Sequence, residues 1–298
     1  MPEPLKESVS ARIKSFTASR AELQEASQGV PEKIENMDAI RVAMKTNAQS
    51  CVSNYLKADP GPVTEKKAPF DLVNTRIDGP FPVRLKITKQ YQWTEQGEFR
   101  FQGIIIQLDR EENPSEKIAQ FNLADYGDEF RIRHREVNPR YRRNGIAEAA
   151  EEAMEEFVKE YVRRTPQREP VITANAGQLH VWSLLDKQGF KTTMDPVPVH
   201  PGEQAVEVRD IDEILSSLED GDGKYSIEKE MYVFPSDFEG ERWIESDEWS
   251  GANIDASARV HFKKRLEVGV SRGITDVLSE VRLQVANGMK VYIGRWFF

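Results

Sequence analysis

The sequence predicts an α+β fold: a mixed, mostly antiparallel sheet with flanking helices, an N-terminal helical extension and a C-terminal appended α/β segment. Three observations predict it. From Phe81 onward come four short strand-like runs: Val83–Ile87, Ile118–Leu123 and Phe130–His134 alternate apolar and polar residues, and Phe99-Arg100-Phe101 leads into Gly103-Ile104-Ile105-Ile106. Alternation of that kind buries one face of a strand and wets the other, and the short turns between the runs make an antiparallel meander. Next, a turn with one glycine, Gly145, leads into a run whose apolar residues recur at three- and four-residue steps: Ile146, Ala149, Ala150, Met154, Phe157, Val158 and Tyr161. That period is an amphipathic helix. Finally, Val171–Asn175 is a short apolar run bounded by Pro170, followed by a helical pattern over 176–188 and closed by Gly189-Phe190.

Taken in order, residues 1–58 read as the helical extension. Ile13, Phe16 and Leu23, then Ile34, Met37, Ile40, Val42 and Met44, form intermittent apolar stripes, and Gln28-Gly29-Val30-Pro31 breaks them into two helices. Stripes this thin cannot make a core alone and must pack on the sheet domain or on a partner. Residues 59–76, opened by Asp59-Pro60-Gly61-Pro62, read as a linker; 77–237 is the sheet-bearing domain and 238–298 the appended segment. Ala205–Val208 reads as a strand, Ile211–Leu218 as a short acidic helix, and Tyr225–Phe234 as the last strand of the sheet. Asp220-Gly221-Asp222-Gly223 imitates part of a calcium loop. With Gly223 as its sixth position, Leu218 and Lys229 fall where carboxylate ligands belong, so an Asp-Gly turn is the better reading. The appended segment carries Trp243, Trp249, a helical run Ile274–Val285 and an apolar end, Val291–Phe298, which is expected to dock rather than stay wet.

Bulk properties narrow the function classes. A chain of 298 residues, 39% hydrophobic, can bury a real core in one or two domains. Its net charge of −9 provides no overall basic field, which argues against nucleic acid as the main partner. The single cysteine, Cys51, excludes an intramolecular disulfide and a cysteine-based zinc cluster, in keeping with a reducing compartment. The four histidines, His134, His180, His200 and His261, have no metal-ligand spacing. Met1–Lys14 lacks an apolar leader and no stretch approaches about 18 apolar residues, so the expectation is a soluble cytoplasmic protein.

The chemistry concentrates in Val137-Asn138-Pro139-Arg140-Tyr141-Arg142-Arg143-Asn144-Gly145-Ile146-Ala147. A strand, a basic turn and a helix N-terminus offer unpaired amides and partial positive charge to a phosphate, and Gly145 permits close approach. The three glycines of a dinucleotide fingerprint and the Gly-Lys-Ser/Thr of a P-loop are both absent. Arg142-x-x-Gly145-x-Ala147 after a Val-x-Pro strand end instead resembles the acyl-CoA loop of the GNAT superfamily of N-acetyltransferases, Arg/Gln-x-x-Gly-x-Gly/Ala. Val171–Asn175, its following helix and Gly189-Phe190 resemble that family's second motif, and the likeness covers about residues 80–200.

The resemblance implies a GNAT-type sheet and an acyl-CoA-dependent N-acyltransferase that moves an acetyl group from acetyl-CoA to an amine of a small molecule or protein by direct attack. It implies that the amides of Arg143, Asn144, Gly145, Ile146 and Ala147 hold the pyrophosphate with Arg142 near the phosphates. Val137 and Asn138 would pair with the pantetheine, Asn175 would touch the same arm, and the Val137 N–H would face the oxyanion. Candidate bases are Glu129, Glu136 and His134; strict alternation puts Glu136 and His134 on one face and Glu129 on the other, unless a bulge intervenes. One departure stands out. Where many members carry a Tyr to protonate the thiolate, this chain has Leu185, leaving Ser183, His180 or water to substitute. A thiolate of pKa about 8.5 can leave without full protonation. The competing expectations are a non-catalytic GNAT-fold binding or scaffold protein, and an acetyltransferase acting on charged tRNA, which the acidic balance disfavours. No metal and no membrane are expected, and a homodimer through the N-terminal helices or the C-terminal segment is compatible with their apolar stripes.

Overall fold

The computed structural model describes residues 31–58, 69–93, 99–176, 179–199, 208, 210–213, 216, 224–226, 231–233 and 260–268. The first apolar stripe (Ile13, Phe16, Leu23), the Asp59–Pro62 turn, most of the Asp-Gly loop, and the 238–259 and 269–298 segments with their tryptophans and apolar end lie outside the described residues.

The chain runs α1 (Met37–Lys57), β1 (Phe70–Ile77), β2 (Val83–Trp93), β3 (Phe99–Arg110), β4 (Asn113–Asp125) and β5 (Phe130–Val137). A 3-10 turn at Pro139–Tyr141 and α2 (Ile146–Arg164) follow, then β6 (Val171–Ala176), α3 (Leu179–Lys187), β7 (Lys191–Thr193), β8 (Lys224–Ser226), β9 (Met231–Val233) and β10 (Val260–Arg265). The fold is α+β. Eight strands form one sheet in the order β1-β2-β3-β4-β5-β6-β10-β7. Its neighbours are antiparallel except β5 and β6, which run parallel because α2 carries the chain across between them.

Period-two patterning decides the two faces. Across β2 to β5 the register aligns Ile87, Ile106, Phe121 and Arg135 in one row, and Lys89, Ile104, Leu123 and Ile132 in the next. That face is the core, and α1 and α2 lie on it. Tyr55 of α1 meets Phe157 of α2 edge-on at 5.1 Å, and Phe130 of β5 meets Tyr161 at 5.2 Å. α1 uses its apolar stripe (Ile40, Met44, Ala48, Cys51, Val52, Tyr55) to dock on this core. The C-terminal carbonyls of α1 are capped from below: buried Lys89 donates to Tyr55 O and Ala58 O at 2.8 Å each, with its ammonium 4.1 Å from the Tyr55 ring centre. The opposite face is polar, with rows Lys86–Gln107–Gln120–Glu136 and Thr88–Ile105–Asn122–His134. Gly103 is required where β3 approaches β4; a Cβ there would stand 2.3 Å from the Leu123 carbonyl oxygen.

Three elements differ from the sequence expectation. Phe70–Ile77, almost all of it inside the stretch read as linker, is the edge strand β1; exposed Phe70 and Asp71 and a bulge at Leu72 interrupt an alternation that is confined to Val73–Ile77. Tyr225–Phe234 is not the sheet's last strand. β8 and β9 pair with each other in a separate two-stranded sheet. The sheet instead takes β10, inserted between β6 and β7, from the stretch read as appended. Its Lys263-Lys264-Arg265 run hides the strand, because Lys264 spans to α2, where it meets Glu155, rather than lying in a uniformly apolar face.

Cys51 is buried on the inner face of α1, and burial pushes its thiol up to about 12. At pH 8 the native protein is expected to resist a thiol-reactive disulfide reagent, and unfolding in guanidinium to release one reactive thiol per chain. Rapid labelling without denaturant would contradict the packing of α1.

Candidate functional site

β5 and β6 touch only over their first halves. Phe130, Arg131 and Ile132 align with Ile172, Thr173 and Ala174, after which the two strands continue unpaired to Val137 and Ala176. Parallel strands that part in this way leave a slot flanked by main-chain N–H and C=O groups. β5 remains tied to β4 on its other side through Val137↔Ala119, and the Asn138 N–H reaches the Ile118 carbonyl at 2.9 Å.

The turn beyond β5 closes on the N-terminus of α2. Arg143 and Gly145 both have left-handed backbone, φ 64 and φ 77. Gly145 is the N-cap, and the first inward bond of the helix is Ala149 N–H to Gly145 O at 3.0 Å. The amides of Gly145, Ile146 and Ala147 therefore point out of the helix, and none has a hydrogen-bond acceptor among the described residues. A Cβ on Gly145 would lie 3.3 Å from the Arg41 guanidinium, which reaches over from α1 to Glu148 and Glu152.

Four loop side chains, Asn138, Arg140, Arg142 and Asn144, are occupied within the protein. Asn144 Oδ1 accepts the Ile34 N–H at 2.8 Å while its Nδ2 donates to Glu32 O and Tyr141 O. Glu32 also pairs with Arg140 at 2.7 Å, and the Glu32 N–H bonds Arg140 O. Arg142 Nε folds back to the Val137 carbonyl at 3.2 Å, and Asn138 Oδ1 caps the Arg140 amide. The segment ahead of α1 is thus stitched to the loop and holds its backbone shape. Sequence reading could not show this, since nothing in Asn144 marks it as a bracket for residues 110 or more positions away.

The candidate bases gather on the polar face. A register shift between Asn122 and Leu123 inserts Arg133 as an extra residue in β5, so Ala124 aligns with Arg131 and Asn122 with His134. Arg131, His134 and Glu136 therefore share a face, and Glu129, which precedes the strand and bonds Arg131 Nε at 2.7 Å, goes with them. The alternation that set Glu129 apart fails at that bulge. His134 and Glu136 are exposed and 3.4 Å apart, and a hydrogen bond from Lys117 holds the Glu136 carboxyl below its ordinary range. Glu129 is buried in its pair with Arg131, whose Nη2 also donates to Pro198 O. A polar pocket of about 320 Å³ opens on the same face, lined by Gln90, Gln92, Asn122, Arg133 and His134 among others.

Asn175 is in β6, which runs on to Ala176 ahead of α3 at Leu179. Its partner across the sheet is His261 of β10, whose Nδ1 lies 2.6 Å from Asn175 Oδ1. His261 stands on a strand that the sequence reading did not predict. Burial first, then Arg131 and Lys263, lowers its pKa from 6.5 to about 4. The sign follows: between those values the unfolded chain binds the extra proton, so stability is complete above about 6.5 and is lost as pH falls towards 4. The loss is up to about 3 kcal/mol. Urea midpoints at pH 4.5 and 7 are expected to separate less in His261→Gln than in the wild type. Leu185 is fully buried in the core, as a residue without a proton to give, and Ser183 is half-buried.

Among the described residues no cluster of three or more His, Cys, Asp or Glu could hold a metal ion, and no helix is long and apolar enough to cross a membrane. No protein-family model matches this chain, and no curated protein matches it.

Proposed function

We propose that this chain is an acyl-CoA-dependent N-acyltransferase of GNAT type, which moves an acetyl group from acetyl-CoA to an amine of a small molecule or a protein. One observation carries the reading: parallel β5 and β6 part beside a helix N-terminus whose first amides have no acceptor among the described residues. A diphosphate fits the outward amides of Gly145, Ile146 and Ala147, and an extended thioester arm fits between the parted strands, where β5 main chain can pair with its amides. The polar pocket beside His134 suits the amine acceptor. The amine nitrogen attacks the thioester carbon, the C–S bond breaks, and the thiolate takes a proton as it leaves.

A second reading is a non-catalytic binding protein on the same fold, favoured by Leu185 and by the internal use of Asn144 and Arg142. Calorimetry with acetyl-CoA, then thiol release against an amine panel, separates the two. Arg142→Ala is expected to weaken acetyl-CoA binding roughly tenfold at low salt, as for one lost charge-assisted contact, and by less at high salt. A salt-independent effect would assign Arg142 to holding the Val137 carbonyl alone.

A further inference from the structure

The pocket on the polar face owes its depth to two small residues. The register sets Gln90, Gly103 and Ala124 side by side on β2, β3 and β4. Gly103 has no side chain and Ala124 a single methyl, so the sheet is nearly bare there. Ile105, Asn122 and His134 of the next row rise beside this notch, and Arg133, the residue that the bulge adds to β5, closes it. Its volume of about 320 Å³ is at the small end of ligand pockets, about 300–1,000 Å³, which suits one small molecule rather than a peptide. His134 lies past the last β5–β6 pair, so the strand that walls the pocket also borders the slot.

The charge of the lining is one-sided. Gln90, Gln92, Gln120 and Asn122 bring neutral amides, Arg133 a permanent positive charge and His134 an imidazole. No Asp or Glu among the described residues lines the pocket. Glu136, 3.4 Å from His134, is taken up by Lys117 at 2.6 Å, and Glu129 is held by Arg131. A polycation entering the pocket would give up water without meeting a counter-charge, which is costly. An anionic group meets Arg133 instead, and the amides can serve neutral polar groups. The net charge of −9 bears on encounter; these few side chains decide what is held.

We propose that this pocket takes a small amine that also carries a carboxylate, of the α-amino-acid class, with the carboxylate on Arg133 and the amine turned towards β5. Its role as acceptor rests on the acyltransferase reading. Positive charge in the lining disfavours the ammonium form of the bound amine and so raises the share of neutral nitrogen that can attack. In the transfer the N–C bond forms, the C–S bond breaks with its electron pair on sulfur, and the proton lost by nitrogen ends on the thiolate. The products are an N-acetylated acid and the free thiol of CoA.

The test uses the full chain with acetyl-CoA and matched amines: L-serine against ethanolamine, and L-glutamine against its decarboxylated amine. Spermidine and a lysine peptide serve as cationic probes. Binding is followed on the His134 imidazole resonance of nitrogen-15-labelled protein, assigned with His134→Gln, and turnover by thiol release. Each amino acid is expected to exceed its decarboxylated partner about tenfold in affinity and in kcat/KM. Arg133→Gln is expected to raise KM for the amino acids about tenfold and to abolish that preference, with kcat and acetyl-CoA affinity held within about twofold. Asn122→Asp puts a carboxylate in the pocket at unchanged size and is expected to reverse the preference, towards ethanolamine and spermidine. Equal binding within the matched pairs, a wild-type preference for the cationic probes, or a His134 resonance that neither amino acid moves would overturn the proposal. Failure to bind acetyl-CoA with the amino-acid preference intact would overturn the acyltransferase reading alone and keep the pocket as an amino-acid site.

Discussion

Gly145→Glu is expected to abolish acetyl-CoA binding, with affinity falling beyond calorimetric detection while the chain stays folded. Its backbone is left-handed, so any side chain there costs about 1–2 kcal/mol. The new Cβ would also crowd the Arg41 guanidinium at 3.3 Å. A glutamate carboxylate can pair with that guanidinium, which protects the fold yet lays negative charge across the outward amides of Ile146 and Ala147. An anion approaching those amides then meets repulsion in place of a helix N-terminus. Gly145→Ala isolates the backbone part: it is expected to lower the melting temperature by a few degrees and to retain measurable binding. Unchanged affinity in the glutamate variant, with an unaltered melt, would remove the loop from the binding site.

Phe157→Ala is expected to cost about 3–5 kcal/mol of unfolding free energy, the range for deleting a buried aromatic side chain. Phe157 stands between helices and sheet: Tyr55 of α1 lies 5.1 Å away, Phe130 of β5 6.4 Å and Tyr161 6.2 Å. Its removal leaves a cavity shared by α1, α2 and the residue that begins the β5–β6 pairing. Urea unfolding reads the loss directly. A change below about 1 kcal/mol would mean that α1 does not share a core with the sheet, against the packing described above.

Strands β2 to β5 were legible in the sequence because each buries one face, which leaves a period of two in residues such as Val83, Leu85 and Ile87. The helix from Ile146 was legible for the same reason at period 3.6, and the loop ahead of it through its single glycine. β1 was not, because a bulge at Leu72 breaks its period and only Val73 to Ile77 alternate in burial. β10 was hidden by cations that serve tertiary pairs, Lys264 with Glu155 and Lys263 with Asp195. The bulge at Arg133 was equally invisible, since a register shift belongs to two strands at once, and with it went the placement of Glu129. His261 lay beyond reach on both counts: it stands 86 residues from Asn175, on a strand that was not recognised.

The insertion of β10 between β6 and β7 bears on how the chain must be born. Among the described residues β7 has no other neighbour in the sheet, and β6 has no other on its far side, so neither is paired there until residue 265 has left the ribosome. Until then the nascent protein presents a bare strand edge beside its finished meander, the arrangement most open to intermolecular pairing. A chain ended near residue 237 would keep that edge permanently and is expected to aggregate, whatever its helices and loop retain.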